Sequence, residues 1–232
     1  MEWRIRGIAI TMKMVKCNNF PSEKALCIKI KRGFRRAMIL FKYNSLKRIF
    51  DIVFSLILLL VTSPILVLSL VIVYLQDFKE PLFSQKRLGL NNKVIKIYKI
   101  RSMVHNAEEN GVKWTSANDL RITWFGKFIR KTRIDEIPQL FNVLKGEMSI
   151  IGPRPELEFF YNEFEKNIPN FRDRLVVKPG LTGWAQINGG YNITPQKKLD
   201  LDLYYIKNIG YKLEVKIFLK TIKVIFTGDG AR

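Results

Sequence analysis

From Ile52 to Leu75 the chain runs 24 residues without a formal charge, nearly all Val, Ile, Leu or Phe. As a helix, that length crosses a hydrocarbon layer of roughly 30 Å. A soluble core helix is rarely so long or so uniformly apolar. A secretory signal fits poorly too, because the run starts well inside the chain and no small-residue cleavage site follows. The segment therefore predicts membrane association. Ser63-Pro64 lies at its middle, and an interior proline removes a backbone hydrogen bond and clashes with the preceding turn, so it kinks or breaks a helix. Both flanks are basic, with Lys42, Lys47 and Arg48 before and Lys79, Lys86 and Arg87 after. Lys and Arg favour the cytoplasmic side, and here they stand at both ends. A helical hairpin that enters and leaves by one face satisfies both observations; a kinked spanning helix is the alternative.

Charge narrows the partners. Forty Lys+Arg against 20 Asp+Glu give +20, a surface suited to nucleic acid, an anionic membrane face or phosphorylated substrates. No nucleic-acid-binding motif appears, so the expectation is no nucleic acid. Cys17 and Cys27 match no common zinc spacing and read as free thiols of a cytoplasmic protein. His105 is the only histidine, which excludes His-based triads and multi-histidine zinc sites. No glycine-rich loop matches a P-loop or dinucleotide fingerprint.

The length suits one compact domain with attachments. The expected divisions are a basic extension of no assigned role (1–42), a membrane helix (43–78), a cytoplasmic domain (79–211) and an amphipathic helix with tail (212–232). Pro81–Gln85 and Lys93–Ile100 read as strands joined by a turn around Gly89–Asn92. Arg121–Lys131 reads as a helix. Another starts near Asp135 and stops at Gly146, a favoured residue just past a helix end. Gly152-Pro153-Arg154-Pro155 reads as a rigid turn, followed by an aromatic-rich helix to about Lys166. Pro179–Gly190 reads as a long loop, and Pro195 opens a further helix ending before Gly210. Near the C-terminus Val215, Phe218, Leu219, Ile222, Ile225 and Phe226 recur at helical spacing, with Lys212, Lys216, Lys220 and Lys223 opposite. Such a helix suits an anionic membrane surface, or packs its apolar face on the domain, or does both.

The chemistry centres on Arg130-Lys131-Thr132-Arg133-Ile134-Asp135-Glu136-Ile137-Pro138. Adjacent carboxylates near a helix start are often no more than caps and dipole partners. Here free N–H groups would also bind phosphate, and neighbouring cations would neutralise a diphosphate while keeping a carboxylate ionised. Arg154, set between two prolines, suits bidentate phosphate recognition. A carboxylate can attack phosphorus to form an acyl phosphate, and two carboxylates with a diphosphate suit Mg²⁺. Trp184 can stack on a base, though packing is the commoner use of a tryptophan.

Taken in order, the motifs resemble the bacterial sugar transferase family, the monotopic phosphoglycosyl transferases that start surface-glycan assembly. Lys47-Arg48-Ile49-Phe50-Asp51 opens the apolar run, Ser63-Pro64 interrupts it, and Gln85-Lys86-Arg87-Leu88-Gly89 and Ile97–Met103 follow. Ile134–Leu144, Lys145–Glu156 and Lys178–Asn188 complete the set. The resemblance covers about Leu46 to Phe226. It implies an α/β fold: a small membrane-associated catalytic domain with an N-terminal re-entrant helix hairpin broken at Ser63-Pro64 and interfacial amphipathic helices. It places the enzyme in the bacterial inner membrane, facing the cytoplasm.

By the same resemblance, a sugar-1-phosphate passes from a UDP-sugar to undecaprenyl phosphate with release of UMP. Asp135 is the nucleophile, and Glu136 assists the metal or proton traffic. Both carboxylates attend Mg²⁺, and Lys99, Arg130, Arg154 and Arg121 handle phosphate. Partners would be the two substrates, anionic membrane lipids and, further along assembly, downstream glycosyltransferases. Gly189-Gly190-Tyr191 stands where many members have Gly-Arg, and the sugar reading leans to a plain hexose. Two other classes stay open: a membrane-anchored glycosyltransferase releasing UDP, and a non-catalytic membrane adaptor.

Overall fold

The structure, a computed structural model, describes the backbone of residues 2–5, 8–11, 21–107, 109, 119–189 and 193–227, and side chains within these from 43 to 224. Cys17, Gly190, Tyr191 and the side chains of Cys27, Ile225 and Phe226 lie outside the described residues. The chain forms two compact units, Met1–Lys47 and Arg48–Arg232. In the first, β1 (Glu2–Ile5) pairs antiparallel with β2 (Ile8–Thr11).

Helix α1 runs Pro21–Asp77, and its Tyr43–Asp77 portion is long and apolar enough to cross a membrane. Only 11% of its most apolar window is buried, which separates it from the core helix of a soluble domain. Its backbone stays helical across Pro64, where the expectation was a break. A hydroxyl supplies the missing donor. Proline leaves the Leu60 carbonyl without its usual N–H, and Ser63 Oγ donates to that oxygen at 2.8 Å. Thr62, the residue before, donates through Oγ1 to the Leu58 carbonyl at 2.6 Å.

Both ends of this segment hold the second unit. Arg48 donates to the Val143 and Leu144 carbonyls at 2.5 and 2.7 Å. Asp51 accepts from Ser149 Oγ at 3.1 Å and the Ile150 amide at 3.0 Å. At the far end Asp77 pairs with Arg101, whose Nη2 donates at 2.6 Å.

The hairpin expected after the apolar run is present: β3 (Leu82–Leu88) pairs antiparallel with β4 (Val94–Ile100). Next come α2 (Trp124–Lys131), capped by Thr123, and a 3₁₀ turn at Ile134–Glu136. Helix α3 (Gln139–Lys145) stops at Gly146, whose φ of 82° suits the left-handed stop that glycine permits. The acidic pair therefore precedes α3 in a turn of its own instead of sitting in that helix's first turn. Strand β5 (Ser149–Ile151), α4 (Glu158–Glu165), a 3₁₀ turn at Phe171–Val176, β6 (Gly180–Thr182) and α5 (Trp184–Ile187) follow. Helices α6 (Pro195–Lys207) and α7 (Tyr211–Thr227) complete the order.

The Pro179–Gly190 stretch is thus not a plain loop. Its β6 pairs in parallel with β5 at Ser149↔Gly180 and Ile151↔Thr182. Backbones touch there, for a Cβ on Gly180 would stand 2.1 Å from the Gly152 nitrogen. The fold is mixed helix and small sheets around three apolar clusters. The largest joins Ile95 and Ile97 of β4, Val143 of α3, Met148, β5, Tyr205 and Ile217, with Phe54 and Leu58 of α1 against it. A second gathers Leu88, Tyr161, Phe171, Leu175 and Leu199. The third sets Phe125 and Ile129 of α2 on Ile100 and Val73, with Leu66 and Leu70 alongside.

Helix α7 differs from its expected facing. Glu214 and Ile217 are buried and Phe218 packs inward, while Val215, Leu219 and Ile222 stay exposed beside the lysines.

Candidate active site

Arg133 adopts a left-handed φ of 59°, turning the chain out of α2 and into the 3₁₀ turn that carries Asp135 and Glu136. Both carboxylates are buried. Behind them, Asn142 ties α3 to β4 as a strand would, donating to the Lys96 carbonyl at 2.7 Å and accepting from the Tyr98 amide at 3.3 Å. This fixes the strand from which Lys99 reaches Glu136, at 3.2 Å. Arg154 also pairs with Glu136, its Nη1 standing 3.4 Å from Oε2, and Arg133 Nη1 approaches the same oxygen at 3.9 Å.

The two acids have opposite electrostatics. Burial alone would raise the Glu136 carboxyl, but Arg154 and Lys99 overcome it and hold it well below the usual carboxylate range. Burial pushes Asp135 up to about 6; Glu136 adds to this, while Lys99, Arg130 and Arg154 pull it back. Asp135 is thus the harder of the two acids to ionise, and no described residue donates a hydrogen bond to its carboxylate.

Lys99, Arg130 and Arg154 thus converge on the acidic pair. Arg130 leans on Ser102 Oγ at 3.4 Å. Arg121 is held by Asp119, with Nη2 to Oδ2 at 2.6 Å, and by the Ala107 carbonyl at 3.0 Å. Asp119, its partner, also feels the charge of Arg130. Trp184 is packed: Tyr204 stacks on it at 5.5 Å, and Lys216 and Lys220 lie over its ring.

The turn presenting Arg154 is pinned along its length. Gly152 N donates to the Thr182 carbonyl at 2.8 Å, and Gly180 N to the Pro153 carbonyl at 2.9 Å. Arg174 Nη2 donates to the Arg154 carbonyl at 2.9 Å, and Arg87 Nη1 to that of Pro155 at 2.8 Å. Glu156 then binds Arg87 and Lys198, while fully buried Arg174 pairs with buried Asp202 at 2.6 Å. Arg174, Asp202 and Lys198 went unread in the sequence. One signal existed, for Asp202 shares the buried face of α6 with Leu199 and Tyr205.

This network predicts an acid-sensitive link. Burial would raise Glu156, but Lys198, Arg87 and Arg174 hold it down at about 2 against an ordinary 4.5. A depressed carboxylate stabilises the fold fully above pH 4.5 and loses that contribution as pH falls toward 2, about 3 kcal/mol in all. Glu156→Gln is expected to be less stable than wild type by about that amount at pH 7, with the gap closing below pH 4.5. Urea unfolding at pH 7 and pH 3 measures it; a gap independent of pH would refute the assignment.

The comparisons agree with the motif order. The family model for the bacterial sugar transferase matches residues 42–228. The chain belongs to that family. It is 44% identical over 193 residues to the UDP-N-acetylgalactosamine-undecaprenyl-phosphate N-acetylgalactosaminephosphotransferase of Aeromonas hydrophila, covering 82% of this chain and 46% of that protein. It is 39% identical over 191 residues to the UDP-glucose:undecaprenyl-phosphate glucose-1-phosphate transferase of Escherichia coli K12, covering 80% and 41%. The sugar transferase EpsL of Bacillus subtilis is 38% identical over 185 residues, covering 80% and 89%. The chain thus spans under half the length of two of these relatives and most of the third.

Proposed function

We propose that the protein transfers a sugar-1-phosphate from a UDP-sugar to undecaprenyl phosphate, releasing UMP, as the first step of a surface-glycan assembly line. The observation that carries this is the pairing of unlike acids: a buried Asp135 with no hydrogen-bond donor among the described residues, raised by burial and faced by Lys99, Arg130 and Arg154, beside a Glu136 whose oxygens Lys99, Arg154 and Arg133 engage. In this reading an Asp135 oxygen attacks the sugar-bearing phosphorus. The bond to the bridging oxygen breaks, and UMP departs with the electron pair. An oxygen of undecaprenyl phosphate then attacks the same phosphorus and displaces Asp135. Lys99, Arg130 and Arg154 balance the diphosphate charge.

No group of three or more His, Cys, Asp or Glu side chains able to hold a metal occurs among the described residues. Asp135 nonetheless suits Mg²⁺, which is commonly held by one or two carboxylates plus substrate phosphates, whereas Glu136 already spends its oxygens on cations. Bound there, the ion would neutralise phosphate charge.

The test is purified protein with undecaprenyl phosphate, Mg²⁺ and a panel of UDP-sugars, scored by UMP. The panel holds both glucose and N-acetylgalactosamine donors, since the relatives' names carry both. UDP as product would identify a glycosyltransferase, and no product from any donor an adaptor. EDTA is expected to abolish turnover and Mg²⁺ to restore it; full activity in chelator would remove the ion from the mechanism.

We also place the enzyme in the cytoplasmic membrane as a re-entrant protein, its catalytic unit on the cytoplasmic face. Asp51 and Asp77 would stand about 39 Å apart on a straight helix. A straight spanning helix would put them on opposite sides of the bilayer, yet both hold the same unit. On α7 the exposed Val215, Leu219 and Ile222 beside lysines suit an anionic interface. Cysteines placed at positions 44 and 80 of a cysteine-free variant are expected to be equally shielded from an impermeant thiol reagent in intact cells. Labelling at one position alone would show a spanning helix.

A further inference from the structure

Helix α2 has a face that neither the fold nor the phosphate chemistry uses. Phe125 and Ile129 are buried on Val73 and Ile100. Trp124 and Phe128, one turn apart, are 72% and 52% exposed, and the neighbouring Leu120 is 98% exposed. The rings are ordered against each other: Phe125 stacks on Phe128 at 5.7 Å and meets the edge of Trp124 at 5.5 Å. A grouped, exposed aromatic patch calls for an occupant in a way that scattered apolar residues do not.

Two features fix which occupant. The buried side of α2 rests on Val73, Leu70 and Leu66, so the patch adjoins the apolar helix that enters the bilayer. The C-terminal turn of α2 carries Arg130, whose charge acts on Asp135. Trp124 precedes Arg130 by six positions, about 9 Å along the helix axis. One helix therefore carries the patch, packs on the apolar segment and ends at the phosphate chemistry. Close packing keeps this registration: a Cβ on Gly126 would fall 2.0 Å from the Ser102 carbonyl, so α2 lies hard against the segment leaving β4.

We infer that Leu120, Trp124 and Phe128 form the docking strip for the first isoprene units of the polyprenyl phosphate acceptor, holding the chain while its phosphate meets Arg130 at Asp135. The inference rests on the function proposed above and adds the acceptor's route to it. A bulky hydrocarbon chain gains by leaving water along the strip, and flat rings offer contact at small entropic cost.

The test compares Trp124→Ser/Phe128→Ser with wild type in detergent, using undecaprenyl phosphate and farnesyl phosphate as acceptors. The double variant is expected to raise KM for undecaprenyl phosphate about tenfold, with KM for the UDP-sugar moving less than twofold. Farnesyl phosphate, which contains only those first isoprene units, should lose as much. Trp124→Phe/Phe128→Leu, which keeps the strip apolar, should restore the acceptor KM. An unchanged acceptor KM overturns the inference. So does an equal rise in KM for the UDP-sugar and for the acceptor, or reduced binding to vesicles of anionic phospholipid with normal acceptor KM, which would make the strip a membrane anchor. Wild-type protein that transfers nothing would instead sink the function itself, so the two failures are distinct.

Discussion

Asp135→Asn is expected to abolish transfer while leaving the protein folded. The amide keeps the size of the carboxylate and its place in the 3₁₀ turn but cannot attack phosphorus. Wild-type protein given UDP-sugar without acceptor should gain the mass of one sugar phosphate, mapped to the peptide containing Asp135. The Asn variant should show neither adduct nor turnover. Glu136→Gln should be slower and still form some adduct, because its oxygens serve Lys99, Arg154 and Arg133. Magnitude separates the roles: losing a cap costs roughly 1 kcal/mol of stability. Losing a covalent nucleophile cuts the rate by roughly three to six orders of magnitude. Substantial activity at position 135 without the acid would mean direct transfer between two bound substrates.

How much of this was legible beforehand depended on whether the governing contact was local. The apolar run, the β3–β4 hairpin and the stop at Gly146 follow from patterns within a few residues, and the structure has all three. The helical continuity across Pro64 was not expected, because the compensating donor is a hydroxyl one residue away and a proline rule ignores it. Helix α7 offered two apolar stripes at the same period. Tertiary packing chose the one through Ile217, which periodicity alone could not select. Strand β6 was hidden by its glycines, which look like loop but serve close backbone contact with Gly152. At the site, the turn's own sequence placed Arg133 near Glu136. Lys99 was nameable only through the family resemblance, and Arg154 from its rigid turn, but their pairing with Glu136 was not legible, since they arrive from β4 and from the turn after β5. The opposite pKa shifts of Asp135 and Glu136 follow from burial and from those distant cations, so spacing carries no trace of them.

Removing the partner of Arg174 is expected to have the largest effect on stability. The guanidinium is fully buried, and Asp202 is its ion-pair partner at 2.6 Å. Asp202→Ala leaves a buried charge unpaired, a change that costs about 3–5 kcal/mol. That is a large fraction of the ~5–15 kcal/mol that holds a typical domain together, so urea unfolding in detergent should register it plainly. Arg174→Met/Asp202→Leu removes both charges and should recover much of the loss, because an apolar pair of similar volume needs no desolvation. Activity should not recover with it. Arg174 is also the donor to the Arg154 carbonyl, and Met cannot replace that bond. A loosened Arg154 should raise KM for the UDP-sugar about tenfold or more, given the cost of misplacing a phosphate-binding group. Stability and activity therefore separate in the double variant if Arg174 positions the turn. If both return together, the buried pair serves the fold alone.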